Sequence, residues 1–302
     1  MPTFNKSTKK AGASPTPGSS PRRNQRAGRG GFEEREPRWG LDGIVLQETV
    51  KAEVQAAIDF CKHQQELIER FELDERFLKG RASVGINLYG PPGTGKSITA
   101  EAIAKALDKK LIVANYADLL DSQWGGTEKQ LSAVFEQAQA SGSIIFMDEA
   151  DGIMGRRTSQ GANSETNNQI KSHLLTLTDS SNVIVIYATN LFENIDRAFF
   201  RRILFHIKVP MPTKEELAEL WRLHIGSENL PKKRGEFSYE ELAAMSEGQL
   251  AGGDIKNIAL KLCVKIGCGH VDAISTQLVR QEIDKYKQSL ADSRGEKGLQ
   301  TT

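Results

Sequence analysis

One glycine-rich stretch, Gly90-Pro-Pro-Gly-Thr-Gly-Lys-Ser97, constrains the fold more than any other part of the chain. It lies between the β-rich run Ile86–Tyr89 and a segment of helical periodicity that begins at Ser97. In the order strand, loop, helix, the pattern G-x-x-x-x-G-K-[ST] predicts a loop whose backbone N–H groups bind the phosphates of a nucleotide. The predicted nucleotide-binding residues of this loop are Gly90, Pro91, Pro92, Gly93, Thr94, Gly95, Lys96, Ser97 and Ile98.

Acidic residues end a second apolar run, which reads SIIFMDEAD from Ser143 onward. Asp148 stands at the C-terminal end of this predicted strand, the edge at which open α/β sheets bind ligands. We expect Ser97 and Asp148 to hold Mg²⁺, and Lys96 to reach the β- and γ-phosphates of ATP. Glu149 would then polarise the attacking water, because phosphoryl transfer depends on positioning and charge. ATP and Mg²⁺ are therefore the predicted cofactors.

The pattern of apolar residues predicts an α/β fold. Short β-rich runs, each ended by Gly, Asp or Asn, alternate with helical patterns, which indicates a parallel sheet covered by helices on both faces. From Thr213 onward only helical patterns follow, so a small all-helical lid domain is expected after the sheet. We predict a disordered basic tail over residues 1–38, an α/β nucleotide-binding subdomain over 39–212, a helical subdomain over 213–290 and a flexible C-terminus over 291–302.

Three further polar residues lie next to predicted strands. Asn190 ends the buried run VIVIYATN, where its amide could orient the attacking water. Arg201 and Arg202 precede the next apolar run, and a permanently charged guanidinium suits the stabilisation of a transferred phosphoryl group. Such an arginine is often supplied by a neighbouring subunit.

In this order, the motifs resemble those of the AAA (AAA+) ATPases, and within them the classical AAA clade. GPPGTGKS, FMDEADGIMGRR, YATN and the arginine-bearing segment are similar to the Walker A, Walker B, sensor 1 and arginine-finger regions of the family. The resemblance covers the chain from about Trp39 to Tyr286. It implies a P-loop NTPase subdomain, a helical lid and a homo-hexameric ring with ATP between subunits. It further implies that hydrolysis drives the remodelling, unfolding or disassembly of a protein partner, selected directly or through an adaptor.

Several residues receive a role only from this resemblance. Counted back from Pro210, Arg202 occupies the place of the second arginine finger, Phe199 occupies that of the first, and Arg201 is a helper. The family's Gly-Ala-Asp lid segment reads Gly252-Gly253-Asp254 here, which makes Gly253 a nucleotide contact and leaves Lys256 as a substitute for a charged sensor 2 residue or as a solvated helix lysine.

Two more segments are assigned in the same way. Gly43 and Ile44 lie in a stretch similar to the one that covers the adenine ring. Trp124 and Gly125 align with the pore loop that grips an extended polypeptide, and packing of Trp124 beneath its own loop is the alternative. The aligned segment is one residue shorter than the common form.

The distribution of charge along the chain leaves other functions open. Residues 1–32 contain seven Lys and Arg and no acid, so the rest of the chain carries a net charge of −6. This basic tail could bind nucleic acid or an acidic partner, act as a solvated tether, or serve as a transit peptide. The alternative function is a nucleic-acid loader or transposition regulator that binds its substrate through the tail. A third hypothesis is an ATP-dependent scaffold.

The bulk composition favours a cytoplasmic protein with no membrane association. No apolar run approaches the length of a membrane span. The three cysteines, Cys61, Cys263 and Cys268, suit neither a disulfide framework nor a zinc site, which is typical of a reducing compartment.

Overall fold

A computed structural model describes residues 32–73, 83–115, 126–156, 164–233 and 237–293. The strands are β1 (Glu34–Arg35), β2 (Val84–Tyr89), β3 (Leu111–Asn115), β4 (Ile144–Asp148), β5 (Ile184–Thr189) and β6 (Phe205–Lys208). The helices are α1 (Glu48–Phe71), α2 (Lys96–Ala106), α3 (Gly126–Ser141), α4 (Asp151–Met154), α5 (Ser164–Ser180), α6 (Arg197–Phe200), α7 (Lys214–Ile225), α8 (Tyr239–Ser246), α9 (Gly252–Gly267) and α10 (Thr276–Ser293).

The strands form one sheet in the order β1-β3-β4-β5-β2-β6. All neighbouring strands run parallel except the pair β1–β3, which is antiparallel. Successive residues of a strand point to opposite faces, so one face of the sheet packs on α1 and α2 and the other on α3 and α5. Burial on both faces is what the near-continuous apolar strands predicted, and the predicted fold class is confirmed.

The sheet brings the polar strand ends together. β4, β5 and β2 are adjacent and parallel, and in the chain they end at Asp148, Thr189 and Tyr89. The carboxyl ends of parallel strands lie on the same edge of a sheet. The residues that follow these strands, among them Glu149, Asn190 and the glycine-rich loop, therefore meet at one edge.

Strand β1 lies inside the range that composition assigned to the tail. Glu34 and Arg35 pair with Ile112 and Leu111 of β3, and the N–H of Phe32 donates to Oε1 of Gln137 at 2.7 Å. Glu101, a buried carboxylate on α2, accepts from the Arg35 guanidinium at 3.1 Å. The prediction that the tail extends to residue 38 is therefore wrong for residues 32–38, because edge pairing and this ion pair hold a segment that has little apolar character.

The four helices α7 to α10 follow the sheet and surround their own core. α7 begins with a capping box in which Thr213 and Glu216 satisfy each other's backbone N–H groups. Trp221 is fully buried in this core, and its indole N–H donates to Oγ of Ser246 at 3.0 Å. The last helix extends to Ser293, three residues beyond the predicted end of the lid. No helix among the described residues is long and apolar enough to span a membrane.

Candidate functional site

The glycine-rich loop joins β2 to α2 in a conformation that requires glycine. Gly90 and Gly93 have φ angles of +147° and +76°, which side chains with a Cβ rarely adopt. A Cβ on Gly90 would also lie 2.1 Å from the carbonyl oxygen of Val209. Because the loop is curled in this way, it leads directly into the N-terminus of α2, the end of a helix that attracts phosphate.

Lys96 connects the loop to the end of β5. Its side chain is largely buried, and Nζ donates to the carbonyl oxygens of Gly90 at 2.9 Å and Pro91 at 2.8 Å. A third bond, of 2.7 Å, goes to Oδ1 of Asn190. Burial lowers the pKa of the Lys96 ammonium group, although the carboxylates of Asp148 and Asp151 oppose this change. Two residues that are 94 positions apart in the chain are thus in direct contact at the predicted phosphate site.

Ser97 and Asp148, the predicted Mg²⁺ ligands, are also in contact. Oγ of Ser97 donates to Oδ2 of Asp148 at 3.0 Å. Mg²⁺ prefers oxygen ligands, and in nucleotide sites it is held by one or two protein groups together with phosphates and water. A hydroxyl and a carboxylate at this distance fit such an ion, and no group of three or more His, Cys, Asp or Glu side chains among the described residues suits another metal.

Glu149 follows Asp148 in a strained conformation. Its φ of +52° is in the left-handed region, which is uncommon for a residue with a side chain. Its N–H donates to Oδ1 of Asp148 at 3.0 Å, and its side chain is exposed. The backbone therefore turns sharply at the end of β4 and leaves the Glu149 carboxylate accessible to solvent and substrate.

Asp151 is a functional candidate to which the sequence analysis gave no role. On α4, its carboxylate accepts from the hydroxyl of Thr189 and from the N–H groups of Asn190 at 3.2 Å and Leu191 at 2.9 Å. These bonds fix the turn that carries Asn190. Asp151 is visible in the sequence as the third acidic residue of the stretch DEAD (148–151). Its spacing did not indicate which backbone N–H groups it would bind.

A cleft of about 600 Å³ extends from this loop to the helical region. Gly43 and Ile44, the predicted adenine contacts, line it together with Pro92 to Ile98, Asp148, Glu149 and Asn190. Gly253 also lines the cleft, and its N–H donates to the carbonyl oxygen of Gly93 at 2.9 Å. Helix α9 therefore begins directly against the glycine-rich loop.

Two basic residues of the helical region also line the cleft. Lys256 lies on α9, one turn beyond Gly253, and His224 lies on α7. Burial, with a smaller contribution from the charge of Lys256, lowers the pKa of His224. The position of Lys256 is compatible with the predicted substitute role at sensor 2, which stays a prediction.

Arg201 and Arg202 lie elsewhere. Both follow α6, and neither is among the residues that line the cleft. The guanidinium of Arg202 binds both carboxylate oxygens of Asp179, with distances between 2.8 and 3.0 Å, and donates to the carbonyl oxygen of Ala198 at 3.2 Å. The expectation that an arginine acts on another subunit's nucleotide stays a prediction. The predicted pore-loop residues Trp124 and Gly125 lie outside the described residues.

Comparison with known proteins identifies the family. Residues 86–211, which contain the loop, Asp148, Asn190 and the two arginines, match the sequence profile of the ATPase family associated with various cellular activities (AAA). The chain belongs to the AAA family. Membership confirms the resemblance seen in the motifs and implies an ATP-binding site.

Three relatives illustrate the similarity of the chain to known proteins. It is 31% identical over 262 residues to protein SUPPRESSOR OF K(+) TRANSPORT GROWTH DEFECT 1 of Arabidopsis thaliana, over 82% of this chain and 58% of that protein. It is 34% identical over 180 residues to vacuolar protein sorting-associated protein 4 of Dictyostelium discoideum, over 58% and 39%. It is 30% identical over 220 residues to 26S proteasome regulatory subunit S10B homolog B of A. thaliana, over 70% and 53%. The chain thus spans about half the length of these relatives.

Proposed function

We propose that this AAA chain is a Mg²⁺-dependent ATPase whose hydrolysis of ATP drives the remodelling, unfolding or disassembly of a protein partner. The observation that carries the proposal is the contact of Lys96 with Asn190 beside the contact of Ser97 with Asp148, at the mouth of a cleft of about 600 Å³. Groups from three separate strand ends are placed together there, as the binding and hydrolysis of a nucleotide require.

Each residue receives a distinct task in this proposal. The backbone N–H groups of the glycine-rich loop and the Lys96 ammonium group bind the phosphates, while Ile44, Gly43 and the start of α9 enclose the base. Ser97 and Asp148 would hold Mg²⁺, which would neutralise negative charge on the phosphates. The bonds of Lys96 to Asn190 and to the carbonyl oxygen of Gly90 hold its ammonium group beside the loop.

Hydrolysis needs a base and an oriented water. The Glu149 carboxylate, exposed beside Asp148, accepts a proton from the attacking water, and the Asn190 amide orients that water by hydrogen bonding. Asp151 holds the Asn190 turn in place through its bonds to the backbone N–H groups. The transition-state charge is stabilised by Arg202, with Arg201 as a helper, from a neighbouring copy in a homo-hexameric ring.

The proposed action on a protein partner is supported mainly by family membership. The relatives include a proteasome regulatory subunit and a cell division cycle protein 48 homolog of Archaeoglobus fulgidus, at 30% identity each. Trp124 and Gly125 would grip the polypeptide in the central channel. We place the protein in the cytoplasm, with subdomains over 32–212 and 213–293. The nucleic-acid alternative assigns substrate contact to residues 1–32 instead.

Substitution of Glu149 by Gln tests the enzymatic proposal. The turnover of ATP by the purified chain should fall by about 100-fold or more, because the general base is lost, while binding of a fluorescent ATP analogue is retained. Glu53→Gln, at an exposed position on α1, is the matched control and should keep the original turnover. An unchanged turnover in the Glu149 variant would contradict the assigned role.

Stimulation of the turnover by added polymers separates the two functional classes. A permanently unfolded, carboxymethylated protein should raise the ATPase rate of the wild-type chain, and Trp124→Ala should remove this stimulation but not the basal rate. If single-stranded DNA or RNA stimulates instead, and deletion of residues 1–31 abolishes the effect, the nucleic-acid alternative replaces the proposal. The deletion stops before Phe32 so that the bonds of this residue to Gln137 are kept.

A further inference from the structure

Four aromatic rings form a continuous cluster at the edge of the sheet. Tyr89 stacks on Phe192, with ring centroids 3.8 Å apart and an interplanar angle of 15°. Phe192 meets Phe200 edge-on at 6.1 Å and His206 at 5.6 Å. Phe200 in turn stacks on His206 at 4.3 Å, also with an angle of 15°. The rings thus form an unbroken path of favourable aromatic contacts from Tyr89 to Phe200.

The two ends of this path are joined to different functional segments. Tyr89 is the last residue of β2 and immediately precedes Gly90, the first residue of the glycine-rich loop. Phe200 is the last residue of α6 and immediately precedes Arg201. A movement of the loop or of the arginine-bearing turn therefore changes the position of a ring at one end of the cluster.

The central ring, Phe192, belongs to a third functional segment. It lies two residues beyond Asn190, in the turn whose backbone N–H groups bind Asp151. Asn190 contacts Lys96 at 2.7 Å, so any change in the contacts of Lys96 on nucleotide binding alters what holds this turn. Phe192 is thus the ring through which the nucleotide site and the arginine-bearing turn are connected.

His206 fixes the far end of the cluster. Its Nε2 lies 3.2 Å from the carbonyl oxygen of Phe200, so this nitrogen carries the hydrogen and donates. The bond and the ring stack together hold the C-terminus of α6, although the Phe200 ring is 47% exposed. Burial lowers the pKa of His206, which favours the neutral ring that can stack without a charge.

We propose that Phe192 is a positioning residue that couples the chain's own nucleotide site to the turn of Arg201 and Arg202, which the chain offers to a neighbouring copy. The inference rests on the proposed function, because it requires that these arginines act in trans. It adds that the arginine-bearing turn follows the state of the nucleotide bound by the same chain, through the contacts of Phe192 with Tyr89, Phe200 and His206.

Mixing two inactive variants isolates the arginine-bearing turn. One variant, the donor, carries Glu149→Gln and retains both arginines; the other, the acceptor, carries Arg201→Ala and Arg202→Ala and retains its own Glu149. Neither should hydrolyse ATP alone, whereas mixed assemblies should regain activity wherever a donor's arginines face an acceptor's site. Phe192→Leu is then added either to the donor or to the acceptor. This choice distinguishes an effect on the arginine-bearing turn from an effect on the chain's own nucleotide site.

Phe192→Leu in the donor should lower the regained activity by about fivefold to tenfold, the size of a coupling carried by a packed network. The same substitution in the acceptor should change it by less than about twofold, because the acceptor has no arginines to position. Phe192→Tyr in the donor keeps the ring and should restore the activity. Phe71→Leu, an exposed ring at the end of α1, is the matched control in both variants.

Three results would overturn the inference in distinguishable ways. Equal losses in donor and acceptor would assign Phe192 a general packing role, and a loss in the acceptor alone would assign it to the chain's own site. If the donor and acceptor without any change at Phe192 regain no activity on mixing, the shared site of the proposed function fails, and the coupling fails with it.

Discussion

The two basic regions of the molecule, around Lys96 and around Arg202, have opposite surroundings. The Lys96 ammonium group is largely buried and contacts loop carbonyl oxygens and Asn190 at the cleft. The Arg202 guanidinium is bound to Asp179 of α5, and neither arginine lines the cleft. One positive charge thus lies in the cleft, and the other lies outside it.

In the proposed function, this difference separates binding from catalysis. The charge that would bind phosphate in the ground state lies in the same chain as the glycine-rich loop, so a single copy would have what nucleotide affinity requires. The charge that would stabilise the transition state lies outside the cleft of its own chain, so a single copy would lack what fast hydrolysis requires.

Lys96→Ala should weaken the binding of ATP by about 100-fold, because it removes charge-assisted hydrogen bonds from a site that excludes much of the solvent. Arg202→Ala removes the same charge from the other region and should leave the affinity within about twofold, since its partner is Asp179 rather than the nucleotide. Titration of each variant with a fluorescent ATP analogue, at chain concentrations low enough to prevent assembly, measures both values. Equal losses of affinity would show that both charges contribute to the binding of the chain's own nucleotide.

Gly253→Val should weaken ATP binding by about tenfold, the effect of a misfit of one or two kcal/mol. A Cβ at position 253 would already lie 3.2 Å from Cα of Gly93, so a branched side chain must push α9 away from the loop. Gly267→Val, at the other end of α9, meets nothing within 4 Å and serves as the control. Retained affinity in the first variant would show that the contact between α9 and the loop does not contribute to binding.

Asn87→Leu tests a buried polar residue of β2. This strand leads to the glycine-rich loop and pairs with β6, which follows the arginine-bearing turn. Asn87 is fully buried, and among the described residues its amide nitrogen and oxygen have no hydrogen-bond partner. Removal of this unsatisfied amide should raise the free energy of unfolding by about 1 kcal/mol. Chemical denaturation measures the change. A loss of stability would indicate that Asn87 has a partner, with His206, its register neighbour on β6, as the first candidate.

The sequence predicted the parallel strands and the glycine-rich loop, because local signals determine both. The glycine-rich loop requires residues without a Cβ, and buried parallel strands require continuous apolar runs, so both are visible in short stretches. The four helices after Thr213 were visible for the same reason, in their apolar periodicity.

What the sequence did not predict depends on contacts between distant residues. Strand β1 has no apolar alternation, and it is held by pairing with β3 and by the bond of Arg35 to Glu101. The role of Asp151 depends on backbone N–H groups about 40 positions away. The bond between Arg202 and Asp179 joins α5 to the turn after α6, and no spacing rule indicates such a pair.

The dependence of ATP turnover on chain concentration tests the separation of binding from catalysis most directly. Turnover per chain should rise steeply as the concentration increases through the range of assembly. The double variant with Arg201→Ala and Arg202→Ala should stay slow at every concentration, about 1000-fold below the assembled wild type. Constant turnover per chain across that range, with the double variant as active as the wild type, would contradict a site completed by a neighbouring copy.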